Sequence, residues 1–342
     1  MKQQYYDEML ASLPREKLLG ASILITGANG MIASALAETL ILMNRRMDLN
    51  MKLFLLCRGR EKAEERFRAY RDDPAVNFVI QDVSEPLECD IAFRYIIHAA
   101  SSAYPGAFNT VPVDVMKANF IGTLNMLTYA AHFPDTRVLF VSSSEIYGEN
   151  FDGVPVFTED TMGKVDPARF RACYPESKRA AETLCMSFKK QYDVDVVAVR
   201  PAYIYGRAII AENTRADAYF LRQVMNGQDI VMYSTGEQVR SYCYVDDCVS
   251  GMLFVLLKGE SGEVYNIGDP DCIVTLHDYA EMLCRIGGTR LLYQPETKPE
   301  GQVFLQTTRL VLSVDKLRGL GWRPMYTLEE GMHDILDEAD GK

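Results

Sequence analysis

The chain has 342 residues, 36 Lys and Arg against 47 Asp and Glu, a formal charge of −11, and 48% apolar residues. That length supports one large domain or two modest ones with a substantial core, and the composition is that of a globular protein. The acidic excess excludes a nucleic-acid surface, which needs clustered Lys and Arg, but leaves room for a locally positive pocket around an anionic ligand.

Met1–Leu19 carries Asp7, Glu8, Arg15, Glu16 and Lys17 among its apolar residues. It lacks the apolar core of a signal peptide and reads as an N-terminal helical extension, 1–19. Short apolar runs then alternate with helical spacing. Ser22–Thr26, Leu53–Cys57, Val76–Ile80, Tyr95–His98, Arg137–Ser142 and Val194–Arg200 read as buried strands, and Ala33–Met43, Val115–His132 and Glu176–Gln191 as helices. This alternation predicts an α/β, Rossmann-type doubly wound parallel sheet over 20–200, completed by about 240–268. Beyond Pro201 the rhythm breaks up: Asn213–Gly227 reads as helix, Tyr242–Leu257 as strand then helix, Val264–Ile267 as strand. Thr275–Ile286 and Val314–Ala339 read as mixed helix and loop, so 201–239 and 269–342 are expected to form a smaller interleaved C-terminal lobe.

No stretch approaches the roughly 20 apolar residues of a membrane span. The eight cysteines show no CxxC spacing, and His98, His132, His277 and His333 are scattered. Neither a disulfide framework nor a metal site is expected, and the expected location is cytoplasmic.

Ile23-Leu-Ile-Thr-Gly27-Ala-Asn29-Gly30-Met31-Ile32-Ala33 is a strand running through a glycine turn into a helix. Gly27 suits the tight turn and Gly30 a close approach of backbone to a pyrophosphate. The helix start offers free N–H groups to it, so this is a candidate dinucleotide site. Where an acid usually meets the ribose hydroxyls after the second strand, the chain has Cys57, Arg58 and, two further on, Arg60. NAD is expected; an arginine there also suits the 2′-phosphate of NADP, and a solvated basic loop is the plain alternative. Asp82 and Val83 after the third strand, and Ala99, Ala100 and Ser101 after the fourth, are further cofactor candidates, whereas His98 reads as a packed histidine.

Tyr174 and Lys178 lie four residues apart, on one helix face. A free phenol, with a pKa of about 10, is a weak base at neutral pH; a lysine cation and a positive nicotinamide ring would favour its phenolate. Val141-Ser142-Ser143-Ser144-Glu145-Ile146-Tyr147-Gly148 falls at the carboxyl end of the fifth strand, where open parallel sheets bind ligands. On these motifs the chain resembles the extended short-chain dehydrogenase/reductase family of nucleotide-sugar epimerases, dehydratases and decarboxylases over nearly its whole length. The resemblance implies Ser143, Tyr174 and Lys178 as a catalytic triad assisted by Glu145, with Asn119 supporting the geometry. Ser144, Arg171, Tyr203, Arg215 and Arg240 are expected on the substrate, a nucleotide sugar.

The Ser144-Glu145 pair resembles both UDP-glucuronate decarboxylases and GDP-mannose dehydratases, while Arg171-Ala-Cys-Tyr174-Pro-Glu-Ser-Lys178-Arg179 and Asn119-Phe-Ile-Gly-Thr-Leu-Asn-Met-Leu127 are most similar to the decarboxylases. That branch implies transient C4 oxidation by a recycled NAD, loss of CO2, and a homodimer joined through the helices around 115–132 and 176–191. A 4-epimerase, a 4,6-dehydratase, an NADPH-dependent ketosugar reductase favoured by Arg58, and a non-catalytic dinucleotide-binding module are the alternatives. Three departures bear on the choice: the missing acid at strand two, Tyr203 in place of an asparagine, and Arg207 in place of a proline after Gly206.

Overall fold

A computed structural model describes residues 3–150, 153–208, 213–294 and 309–339. Met1 and Lys2 of the leading segment, and 209–212, 295–308 and 340–342 of the C-terminal part, lie outside the described residues. Helix α1 (Gln3–Ser12) leads into β1 (Ser22–Thr26), α2 (Met31–Met47), β2 (Lys52–Cys57), α3 (Arg60–Arg66), β3 (Val76–Ile80) and β4 (Tyr95–His98). Next come α4 (Pro105–Thr110), α5 (Pro112–Met116), α6 (Gly122–Ala130), β5 (Arg137–Val141), α7 (Cys173–Tyr192) and β6 (Asp195–Pro201). The remainder comprises β7 (Tyr203–Tyr205), α8 (Ala216–Met225), β8 (Ile230–Met232), β9 (Val239–Tyr244), α9 (Val245–Lys258) and β10 (Val264–Ile267). Last are β11 (Ile273–Thr275), α10 (Leu276–Gly287), β12 (Leu291–Tyr293), β13 (Arg309–Leu310), α11 (Asp315–Gly319) and α12 (Leu328–Ala339).

The strands are apolar on both faces because both faces are covered. Ile23, Ile25, Leu53 and Leu55 alternate with Leu24 and Leu56, so each set enters a different core. Leu36, Leu40, Val249 and Leu253 of α2 and α9 fill the first core, and Met126, Leu127, Ala181 and Cys185 of α6 and α7 the second. The result is a seven-stranded parallel sheet in the order β10-β6-β5-β4-β1-β2-β3. Its direction of winding reverses between β1 and β4, which opens a crevice at their carboxyl ends. β9 does not join this sheet; it pairs with β7, β11 and β13 in a second, smaller one, while β8 and β12 form a separate pair.

The spacing of apolar residues predicts one helix over Val115–His132. The structure instead has α5, a π-helical turn at Lys117–Ile121, and then α6. The extra residue in that turn carries Asn119 into the interior, and such bulges are frequent at functional sites.

Candidate active site

The glycine turn is built tightly against β2 and the segment after β4. Gly27 has φ +65°, and a Cβ there would lie 2.6 Å from the Ala100 Cα, so no side chain fits. Ala28 donates its N–H to Leu56 O at 3.2 Å, and Gly30 closes the turn on Gly27 O at 2.9 Å. Thr26 Oγ1 accepts from the N–H groups of Ala99 and Ala100, both at 3.2 Å. Gly30 caps α2, and Met31, Ile32 and Ala33 of its first turn line the cleft. Gly30, Met31, Ile32, Ala99 and Ser101 line one wall of that cleft. The Ser101 and Ser142 hydroxyls are buried without a hydrogen-bond partner. A cradle that admits no Cβ, a helix N-terminus and unpartnered hydroxyls together fit a dinucleotide pyrophosphate and its flanking sugars.

Toward the adenosine end, Cys57 donates its thiol to Asn29 Oδ1 at 3.1 Å. Arg58 is exposed at the rim. Asp82 is exposed and accepts from the Ser84 N–H and hydroxyl at 2.9 and 2.7 Å, and Val83 is buried against Gly122. His98 is buried with Nδ1 2.8 Å from Thr26 Oγ1, and burial pushes its pKa down to about 3. Because Thr26 Oγ1 already accepts two N–H groups, its proton goes to His98 Nδ1, leaving a neutral Nε2–H ring. It is the packed histidine that the sequence suggests.

Ser143, Tyr174, Lys178 and Arg215 line the opposite wall. Ser143, two residues beyond β5, caps the following turn and accepts the Glu145 N–H at 3.1 Å. Tyr174 sits in the first turn of α7, stacked on Phe108 at 4.8 Å. Asn119 donates to Ser177 Oγ at 2.9 Å, and Ser177 in turn donates to the Cys173 and Tyr174 carbonyls, which ties the π-turn to the tyrosine's backbone. Lys178 donates Nζ to Val141 O at 2.7 Å and lies 5.9 Å from the Tyr174 ring centroid.

The electrostatics differ from the expectation of a lysine-acidified phenol. Burial, then the Glu145 carboxylate, push Tyr174 up to about 12, against the opposing pull of the Ser143 hydroxyl, Arg215 and Arg171. Burial pulls Lys178 itself down to about 7, and its hydrogen bond goes to the end of β5.

Beside this wall, Arg171 pairs with Glu145 at 2.9 Å, and Arg215, which lines the cleft, approaches the other carboxylate oxygen at 3.7 Å. The Arg240 guanidinium lies 4.3 Å from the centre of the Tyr203 ring, with its Nη1 buried and unpartnered; Arg215 lies 5.9 Å from that ring. Tyr203, Arg215 and Arg240 thus form one group. Ser144, by contrast, is buried in the turn below the cleft. Sequence reasoning missed Phe108, which supports both Tyr174 and, at 4.4 Å, the Arg171 guanidinium. It also missed Ser177; a phenylalanine in a short helix and a serine inside a motif carry no signal of their own. Elsewhere, His277, Asp278 and Glu281 bring potential ligand atoms within 4.8 Å of one another at the partly exposed start of α10, away from this chemistry.

A doubly wound sheet, a glycine turn at its switch point and a Ser–Tyr–Lys set across the cleft define an enzyme that works with a nicotinamide dinucleotide. Residues 23–268 match the NAD dependent epimerase/dehydratase family, and the chain belongs to it. UDP-glucuronic acid decarboxylase 1 of Danio rerio is 33% identical over 314 residues, covering 92% of this chain and 71% of that one. In fold the chain matches dTDP-glucose 4,6-dehydratase of Bacillus anthracis, solved with NAD, with TM-score 0.76, 22% identity, and coverage of 94% and 97% of the two chains. UDP-glucuronic acid 4-epimerase of Bacillus cereus, solved with UDP-glucuronic acid and NAD, matches with TM-score 0.76, 20% identity, and coverage of 94% and 99%. Among the described residues no helix is long and apolar enough to cross a membrane.

Proposed function

We propose that the chain decarboxylates a nucleotide-linked uronic acid, with UDP-glucuronate as the first candidate substrate. The observation that carries this reading is the convergence of Arg171 and Arg215 on Glu145 beside the Tyr174 phenol: a cationic pocket in an acidic protein. The decarboxylases at about 30% identity support it.

A bound NAD would supply reversible hydride acceptance at the sugar. Gly27, Gly30, Met31 and Ile32 would hold its pyrophosphate, with Asn29, Ala99, Ala100 and Ser101 alongside. Asp82 and Val83 would flank its adenine, and Lys178 would serve its ribose. Tyr174 takes the C4 hydroxyl proton, and Ser143 hydrogen-bonds the same oxygen. Once C4 is a ketone, the C6 carboxylate is β to it, and the C5–C6 bond breaks with its electrons delocalised onto the C4 oxygen. The Ser143 hydroxyl and the Tyr174 phenol stabilise that oxyanion. A proton then adds to C5, Glu145 holding the water or sugar in place, and Tyr174 returns its proton to the C4 oxygen as that carbon goes back to the alcohol level. Arg240, with its unpartnered Nη1, and Arg215 grip the diphosphate, with Tyr203 stacked beneath them. The test is incubation of the purified protein with UDP-glucuronate: CO2 and a UDP-pentose are expected in equal amounts, with no net change in NADH absorbance. UDP-galacturonate as the product, with no CO2, would replace this reading with 4-epimerisation. Stoichiometric loss of NADPH with a ketosugar would make it a reductase, the reading that Arg58 favours.

The same proposal assigns 20–200 with β10 to the cofactor, and the parts around β7–β9 and beyond β10 to the substrate. It places the protein in the cytoplasm, supported by eight unpaired cysteines; recovery of the native protein in a secreted fraction would contradict that. It also makes the protein a homodimer. Val113, Met116, Phe120 and Leu124 expose 62, 45, 39 and 36% of their surface along α5, the π-turn and α6, an apolar stripe that a second copy would cover. Leu124→Arg should shift the sedimenting species from twice the chain mass to one. A wild-type chain that sediments as a monomer would remove the dimer.

A further inference from the structure

The segment after β2 is where a dinucleotide's adenosine ribose comes to lie, and its residues set which ribose is accepted. A carboxylate there accepts hydrogen bonds from the ribose hydroxyls and repels a 2′-phosphate. This chain has none: β2 ends in Cys57, followed by Arg58-Gly59-Arg60. The glycine turn fixes the position of the segment. Ala28 N–H meets Leu56 O at 3.2 Å and the Cys57 thiol meets Asn29 Oδ1 at 3.1 Å, so residue 58 is the first beyond the contact between strand and turn.

Cys57 is a poor substitute for the missing acid. It is buried, burial pushes its thiol up to about 11, and its proton is engaged by Asn29. It therefore brings no negative charge to exclude a phosphate. The carboxylate at the neighbouring strand end, Asp82, is committed to the Ser84 N–H and hydroxyl. Its carboxyl is held below the ordinary range first by the Ser84 N–H and then by the Ser84 hydroxyl, with the Arg58 and Lys117 cations helping. Arg60, by contrast, is paired with Glu64 at 3.4 Å on the outer face of α3. Arg58 is the exposed guanidinium at this edge, and a guanidinium matches phosphate oxygens with paired N–H donors.

We propose that Arg58 makes this site a receptor for a 2′-phosphate, so that the chain binds NADP(H) at least as tightly as NAD(H). The inference concerns the adenosine end alone and rests only on the dinucleotide site of the preceding reading. A decarboxylase that returns its hydride within each turnover works with either dinucleotide.

The test is equilibrium binding, read by titration calorimetry with NADPH, NADH, 2′,5′-ADP and 5′-ADP; the last two lack the nicotinamide and report the adenosine end. The wild-type chain should bind NADPH no more weakly than NADH, and 2′,5′-ADP more tightly than 5′-ADP. Arg58→Ala, at an exposed position where folding is undisturbed, should weaken NADPH and 2′,5′-ADP by about 10- to 100-fold, the range of a lost charge-assisted hydrogen bond. NADH should stay within about twofold, and Arg58→Lys should recover part of the loss. A wild-type chain that binds NADPH ten times more weakly than NADH overturns the proposal, as does an Arg58→Ala variant that keeps its NADPH affinity or loses both dinucleotides equally. In each of those cases CO2 release from UDP-glucuronate is unaffected as a test of the reaction.

Discussion

Replacing Tyr174 by Phe should lower kcat by about 10²- to 10⁴-fold, the contribution of a positioned general acid–base group, and leave dinucleotide affinity nearly unchanged. The variant should fold, because the ring stays stacked on Phe108 and only a hydroxyl is removed. The wild-type enzyme should show a kcat that rises with pH as the phenolate fraction grows; burial and the nearby Glu145 carboxylate hold the phenol near 12 in the chain without its cofactor, and a positive nicotinamide ring would favour its ionisation. The variant should lose that limb. Steady-state rates across pH 6 to 9.5, with dinucleotide binding measured separately, check both statements. A variant that retains a tenth or more of the rate with the same pH slope would mean that another group moves the C4 proton.

Much of this arrangement is legible in the chain because it is local. The six strands of 20–200 are continuous apolar runs, and such runs are required where helices cover both faces of a parallel sheet. The glycine turn and the Tyr174–Lys178 pair need only short-range spacing. Long-range contacts are less legible. The π-turn at Lys117–Ile121 reads as plain helix, since its apolar spacing is close to helical, and only the fold demands that Asn119 turn inward to reach Ser177. Lys178 sits one helical turn from Tyr174, yet its ammonium points to the Val141 carbonyl; sequence distance along a helix gives the face and not the partner. Arg207, a departure from the family at a substrate-side loop, pairs at 2.6 Å with the buried Asp246 of α9 and approaches Asp334 of α12 at 3.8 Å. It is a tie between elements, and the neighbouring Asp247 is likewise structural, accepting the Met325 and Tyr326 N–H groups. The motif around Arg240 therefore divides: the arginine lies over the Tyr203 ring, while its two aspartates hold the C-terminal segment.

Lys178 should also be a liability for stability, and removing it should make the protein more stable near neutral pH. Lys178 is 2% exposed, and burial lowers its pKa from 10.5 to about 7, against the opposing pull of Glu182 and Cys185 on its own helix. On β4, the neighbouring His98 is neutral and does not offset the charge. The unfolded chain keeps the proton up to about pH 10.5, whereas the folded chain releases it near pH 7. Between those values the unfolded state binds more protons, so this residue makes stability rise with pH. Below pH 7 the ammonium is buried at full cost. Lys178→Met, similar in length and without charge, should raise the melting temperature at pH 6.5 by roughly 2 °C or more, the scale of about 1 kcal/mol in a chain of this size. Its advantage over the wild type should shrink toward pH 10, and turnover should fall to the level of the Tyr174→Phe variant. Melting curves at pH 6.5, 8 and 9.5 supply the check. A Lys178→Met variant less stable than the wild type at pH 6.5 would mean that the bond to the Val141 carbonyl outweighs the cost of burying the charge. The lysine would then hold the end of β5 in place as well as serve the cofactor.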